Sequence, residues 1–202
     1  MEASEQQAER WLQWWHQGYW QQADESWHIN GFFALPAEQQ QALAWQHPLA
    51  VAAGFDIRPA LPPAPQARLL TLVSLPDACW GRLLTLLAGV CAPHRAPDEL
   101  SAANRIWCRR LTKALRCESW LDEACFYPYT TGSLLLLHTL SPACWPRLRL
   151  RFPREWVKQV SEYPVPDLPE SRLAALWDAV IWQSQQPEKM IHVDPQENPL
   201  TE

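Results

Sequence analysis

The sequence predicts an all-α fold, and three observations carry that prediction. Nineteen prolines stand against six glycines, and most of the prolines fall where an apolar run begins or ends. A residue without an amide N–H is tolerated at a helix start and stops a helix elsewhere. Apolar residues recur at helical spacing in several runs, whereas the alternation of a half-buried strand is nearly confined to residues 148–152. Many short, proline-delimited helices are expected, gathered into a single compact domain, since 202 residues are enough to close one core.

Taken in order, residues 5–17 read as a helix with Ala8, Trp11, Leu12 and Trp15 on one face and Gly18 as its stop, and residues 19–27 as a second. Five tryptophans (11, 14, 15, 20 and 27) fall within seventeen residues, and the tandem Trp14 and Trp15 cannot both lie on one narrow stripe. Two readings stay open. The rings belong to the chain's own core, or Trp11, Trp14 and Trp15 form a partner anchor, because tryptophan is enriched at binding hot spots.

Pro36 opens a helix that His47 and Pro48 end, and residues 50–55 read as a loop or a single turn. Four prolines within residues 58–65 favour an extended, stiff backbone and mark a boundary. Helix resumes over 66–91 with an interruption at Pro76. Residues 97–116 begin with Pro97, Asp98 and Glu99, a favourable first turn, and place Leu100, Ala103, Trp107, Leu111 and Ala114 on one face. Opposite lie Arg105, Arg109, Lys113 and Arg116, spread over roughly 80° of the helix surface. That cationic strip is either a solvated face or a docking surface for an acidic protein partner.

A short helix is predicted over 120–126. After a turn at Tyr127, Pro128 and Tyr129, Thr131 and Gly132 open an apolar helix whose leucines at 134–137 leave no polar side, so it belongs in a core. Ser141 and Pro142 stop it. The segment from Ala143 to Leu150 leads into arginines at 147, 149 and 151 that alternate with Leu148, Leu150 and Phe152, Pro153 starts a helix to 163, and Pro164, Pro166 and Pro169 make a second linker. Residues 170–185 place Leu173, Leu176, Trp177, Val180 and Ile181 on one side, and a loose acidic tail is expected beyond Pro187. One segment recurs: LPDACWGRL at 75–83 returns as LSPACWPRL at 140–148, which reads as a duplicated helix entry. The organisation is therefore a Trp-rich helical segment over 1–60 packing on a helical core over 61–163, then a linker, amphipathic helix and tail over 164–202.

Net charge is -5, distributed as -5, +5 and -5 over those three parts. That balance does not suit a general nucleic-acid binder. A leader pattern and a long apolar run are both missing from the sequence, so a cytoplasmic protein without direct membrane insertion is expected. The six cysteines (79, 91, 108, 117, 125 and 144) include no C-x-x-C pair and read as free, mostly buried thiols. No glycine-rich phosphate loop, G-x-S-x-G or H-E-x-x-H occurs, and His138, alone in an apolar helix, reads as a core histidine. No catalytic residue, cofactor or metal ligand is assigned, and an enzyme is not expected.

The leucine, proline and arginine pattern carries one resemblance. Leu75 and Pro76 with the leucines of 83–90, then 106–115, Trp120 and Leu121, and above all GSLLLLHTLSPACWPRLRLRFPREWV, are similar to the SctK family of type III secretion systems, which includes OrgA/MxiK and HrpD-type proteins. The similarity covers roughly residues 70–160. It implies a helical, non-enzymatic adaptor of the sorting platform that links an SctQ-type pod protein to an SctD-type inner-membrane ring protein, peripheral to the membrane through those partners. Two alternatives are a type III secretion chaperone, which would carry amphipathic strands, and a small all-α enzyme using Cys and His.

Overall fold

The computed structural model describes residues 5–28, 31–95 and 97–186; the tail expected beyond Pro187 lies outside the described residues. The fold is compact and all-α. Helices α1 (Glu5–Gln13), α2 (Tyr19–Gln21), α3 (Ala37–Gln46), α4 (Pro48–Gly54), α5 (Ala67–Val73), α6 (Asp77–Cys91), α7 (Ala102–Leu115), α8 (Tyr129–Leu140), α9 (Trp145–Leu148), α10 (Arg154–Ser161) and α11 (Glu170–Ser184) are joined by short 3-10 turns and extended stretches. Residues 50–54 of the stretch 50–55, read from sequence as a loop or a turn, belong to α4, and Phe55 caps it; Pro48 occupies the first turn, where a missing N–H costs nothing. Pro36, Pro76, Pro128, Pro153 and Pro169 each occupy the position just before a helix, with φ near -60° and an extended ψ that the helix beyond leaves undisturbed.

Two helices make the centre. Leu134, Leu135, Leu136 and Leu137 of α8 are buried on every side, and Leu83, Leu84, Leu86 and Leu87 of α6 face them. Ser133 Oγ of α8 donates to the Leu84 carbonyl at 3.0 Å, giving the polar side chain a partner inside this core. Helix α11 packs on α6, α5 and α8, with Leu176, Trp177 and Val180 fully buried. The side placed on it by sequence is the side that is buried. The partner surface that this side needs is supplied by α5, α6 and α8, which makes α11 a wall of the core.

Helix α1 does not stop at Gly18. It continues through a π-helical turn, Trp14–Gly18, into α2. A π turn holds one extra residue and so rotates the chain beyond it by roughly one residue step, about 100°. On an unbroken α-helix Trp20 would lie opposite Trp11; the extra residue swings it round, and Trp11, Trp14, Trp15, Tyr19 and Trp20 are all buried. Gly18 is needed for a steric reason, since a Cβ there would meet Trp14 Cδ1 at 2.8 Å.

The repeated LPDACWGRL and LSPACWPRL segments diverge in structure. In the first, Pro76 caps α6 directly. In the second, Ser141 ends α8, Pro142 lies in the turn after it, and α9 begins only at Trp145. What the copies share is a buried tryptophan, Trp80 and Trp145. Residues 145–151 run as α9 and a 3-10 turn, Arg149–Arg151, so their alternation of leucine and arginine is not a strand.

Candidate protein-interaction surfaces

Helix α7 starts at Ala102, with the Ser101 hydroxyl accepting from the Asn104 N–H at 3.3 Å. It lies against α6, where Thr112 Oγ1 donates to the Val90 carbonyl at 2.6 Å and Cys108 sits over Gly89. A Cβ on Gly89 would stand 2.7 Å from Leu100 Cδ1 and 2.9 Å from Cys108 Sγ, so the bare glycine sets how closely α7 approaches. The buried residues of α7 are Asn104 and Cys108, while Ala103 and Ala114 face solvent. Periodicity placed the inner face about one residue step away, on Ala103, Trp107, Leu111 and Ala114. Hydrophobicity cannot see that Leu100 lies before the helix or that a small cysteine is what fits over Gly89.

The cationic strip remains outside. Arg105, Arg109, Lys113 and Arg116 are all exposed, as is Arg110. They are not equivalent. Arg105 folds back on the loop before α7, donating to the Leu100 carbonyl at 2.9 Å and the Asp98 carbonyl at 2.8 Å, with the Asp98 carboxylate at 3.6 Å. Among the described residues, the side chains of Arg109, Lys113 and Arg116 make no hydrogen bond or ion pair. Arg116 ends α7 in the left-handed region at φ 51°, a place that favours glycine and costs a side chain about 1 kcal/mol.

The other candidate surface is withdrawn into the molecule. Trp11, Trp14 and Trp15 are 1%, 7% and 1% exposed. They pack on one another, with Trp11 and Trp14 stacked at 5.2 Å, and Trp11 Nε1 donates to the Pro63 carbonyl at 2.8 Å. An anchor must present its ring to a partner, and these rings are already covered; the core reading of the N-terminal tryptophans holds, and the anchor reading of Trp11, Trp14 and Trp15 is corrected.

The covering groups are ones that sequence reasoning noted but did not assign. Arg147, Arg149 and Arg151 each reach across to the N-terminal segment. The Arg147 guanidinium lies 3.6 Å from the Trp15 ring centroid and donates from Nε to the Trp15 carbonyl at 3.0 Å. Arg149 donates from Nη2 to the Phe55 carbonyl at 2.8 Å and lies over Trp27. Arg151 bonds Gln22, the Leu75 carbonyl and Asp77, and lies over Trp80. Two further hydrogen bonds reinforce this clamp: the Asp24 backbone N–H donates to the Leu150 carbonyl at 2.8 Å, and the Trp27 indole Nε1 donates to the Phe152 carbonyl at 2.8 Å. Burial lowers the pKa of all three guanidiniums, yet arginine titrates so far above neutrality that each stays charged. Burial likewise pushes the Tyr19 phenol up to about 12, with Arg147 pulling the other way.

All six cysteines are free thiols. Burial pushes Cys108 up to about 12 and Cys125 up to about 11, and raises Cys91 and Cys144 as well. His138 is half-buried, stacked on Trp145 at 4.9 Å, and burial lowers its pKa. Among the described residues no group of three or more His, Cys, Asp or Glu is placed to hold a metal ion.

No protein-family model, curated protein or solved structure matches this chain.

Proposed function

We propose that this protein is a non-enzymatic adaptor that joins two protein partners through separate surfaces, in the manner implied by its resemblance to the SctK family: an SctQ-type pod protein on one side and an SctD-type inner-membrane ring protein on the other. The observation that carries the reading is the α7 strip. Three cationic side chains, Arg109, Lys113 and Arg116, are held outward on a helix whose other face is locked to α6, and none is neutralised among the described residues. Such a strip steers an acidic partner and sets its orientation more than it adds affinity.

The alternatives draw less support. A chaperone with amphipathic strands needs strands, and the described residues form none. A Cys/His enzyme needs an accessible thiolate near neutrality, which burial disfavours at Cys91, Cys108, Cys125 and Cys144; a hydrogen bond with Cys91 lowers the Cys117 pKa, but that thiol is fully buried. No described helix is long and apolar enough to cross a membrane, and the adaptor reading places the protein in the cytoplasm, at the inner membrane only through its partners.

Affinity capture from the native host, followed by mass spectrometry, tests the class: recovery of pod and ring proteins supports it. Capture with Arg109→Glu/Lys113→Glu should lose one of the two while keeping the other. Retention of both at wild-type affinity across a salt series would remove the strip from the contact surface.

A further inference from the structure

The clamp leaves one charge without a counter-charge. Arg147 is 7% exposed, and its one hydrogen bond among the described residues runs from Nε to the Trp15 carbonyl. No carboxylate there lies within ion-pairing distance of it. The Trp15 ring at 3.6 Å covers a face of the guanidinium, and Tyr19 stands at 5.4 Å, so the aromatic partners occupy faces and the η nitrogens, with no protein acceptor among the described residues, reach solvent at the edge.

That edge belongs to a cavity of about 380 Å³. Arg58, Arg147 and Arg149 line it together, against the single carboxylate of Asp56. Asp56 acts on Arg149, whose Nε and Nη2 are engaged by the Pro146 and Phe55 carbonyls. The charge balance of the lining is therefore three cations to one anion. The rest of the wall is apolar: Ile57, Ala60, Pro142, Ala143, Trp145 and Pro146. Arg147 also lines an adjoining hollow of about 90 Å³ beside Pro59 and Tyr19.

A groove lined by three cations and one anion attracts a negative charge, and paired N–H groups at a guanidinium edge match a carboxylate bidentately. The apolar wall decides what carries that oxyanion. A free inorganic ion would leave the exposed Ala60, Pro142 and Ala143 in contact with water, whereas a glutamate or aspartate flanked by apolar residues would cover them. From this cavity we infer a binding site for an acidic-apolar peptide segment of a partner protein, its carboxylate held by Arg147 with Arg149 and Arg58 and its neighbouring side chains on the Ala60, Pro142 and Ala143 wall. The site supplies a second surface, distinct from α7, and does not rest on the α7 strip.

The test uses the full chain, ¹⁵N-labelled, following the arginine Nε–Hε resonances while acetyl-Leu-Glu-Leu-amide is added. Acetyl-Leu-Gln-Leu-amide and inorganic phosphate, at matched ionic strength, are the comparison probes. The expected result is a saturable shift of Arg147 and Arg149 with the glutamate peptide and none with the glutamine peptide. Arg58→Glu, an exposed change that spares the clamp, should weaken binding about tenfold, as expected for losing and reversing one charge-assisted contact. Arg147→Lys keeps the charge but loses the fork, and should weaken binding by a similar factor. Arg109→Glu/Lys113→Glu should leave the titration unchanged, which separates this site from the α7 surface. Equal binding of the glutamine peptide, or no saturable shift with the glutamate peptide, overturns the proposal. A shift with phosphate alone overturns the peptide occupant and makes the cavity a free-oxyanion site.

Discussion

Two groups of arginines in this chain look alike in sequence and meet opposite fates. On α7, Arg109, Lys113 and Arg116 recur at helical spacing and stand in solvent with no partner among the described residues. In the 147–151 segment, arginines recur at every second residue and each is drawn under an aromatic ring. The difference lies in what each backbone segment faces. Helix α7 has one inner face, filled by Asn104, Cys108 and the approach to Gly89, so its cations have only the outside left. The α9 and 3-10 segment lies between the core and the tryptophan-rich N-terminus, so its arginines bridge two buried regions with their stems while their guanidiniums find carbonyls and rings. Cations of the first kind are wholly available to a partner; those of the second hold the molecule together, and Arg147 keeps only its η edge for a ligand.

If that distinction is right, the clamp should respond most to mutation. Arg147→Ala removes a desolvated cation–ring contact worth about 2 kcal/mol and strands the Trp15 carbonyl at about 1 kcal/mol, so a loss of about 3 kcal/mol is expected in thermal or urea unfolding. A melt within error of wild type would mean that Arg147 does not secure the N-terminal segment.

Next in size is Gly89→Ala, which attacks the seat of α7 without touching its charges. A methyl placed 2.7 Å from Leu100 Cδ1 and 2.9 Å from Cys108 Sγ must push α7 outward, and about 1–3 kcal/mol of destabilisation is expected from overpacking. Cys108→Ala in the same chain should recover part of it. No recovery in the double variant would show that the close approach is not where the stability is lost.

A smaller effect is expected with pH at His138, which stacks on Trp145 beside the clamp. Burial lowers its folded pKa, so the unfolded chain takes up the proton first, near about pH 6.5. Its contribution to stability is present above that value and is lost as pH falls toward the folded pKa. His138→Phe keeps a ring on Trp145 and should flatten the decline in melting temperature between about pH 7 and pH 5; an unchanged slope would assign the acid sensitivity to other groups.

The smallest expected change is the reversal of the strip. Arg109→Glu/Lys113→Glu should alter stability by no more than about 0.5 kcal/mol in circular dichroism melts. A large drop would mean that these side chains are docked, and the contrast between the two groups would disappear.

Much of the fold can be read directly from residues. The leucines at 134–137 announce a helix with no solvent side, and it is the centre of the core. The prolines at 36, 76, 128, 153 and 169 mark helix entries because their chemistry is local. The inner side of α11 follows from period alone. The candidate surfaces were only half legible. The cationic strip on α7 could be placed because a charged face opposite an apolar one is a property of one helix, though the inner face itself sits one step from its apolar stripe, where Gly89 admits a cysteine.

The rest needed the tertiary structure. Nothing in the run of residues 5–21 says that a π turn will swing Trp20 inward, and nothing near Arg147 says that its ring partner and carbonyl lie at Trp15, 132 residues earlier. A local pattern encodes spacing, and spacing determines helices and their faces. Whether a given face or charge is covered depends on which distant segment arrives there, and that is decided only when the N-terminal tryptophans close over the 147–151 arginines.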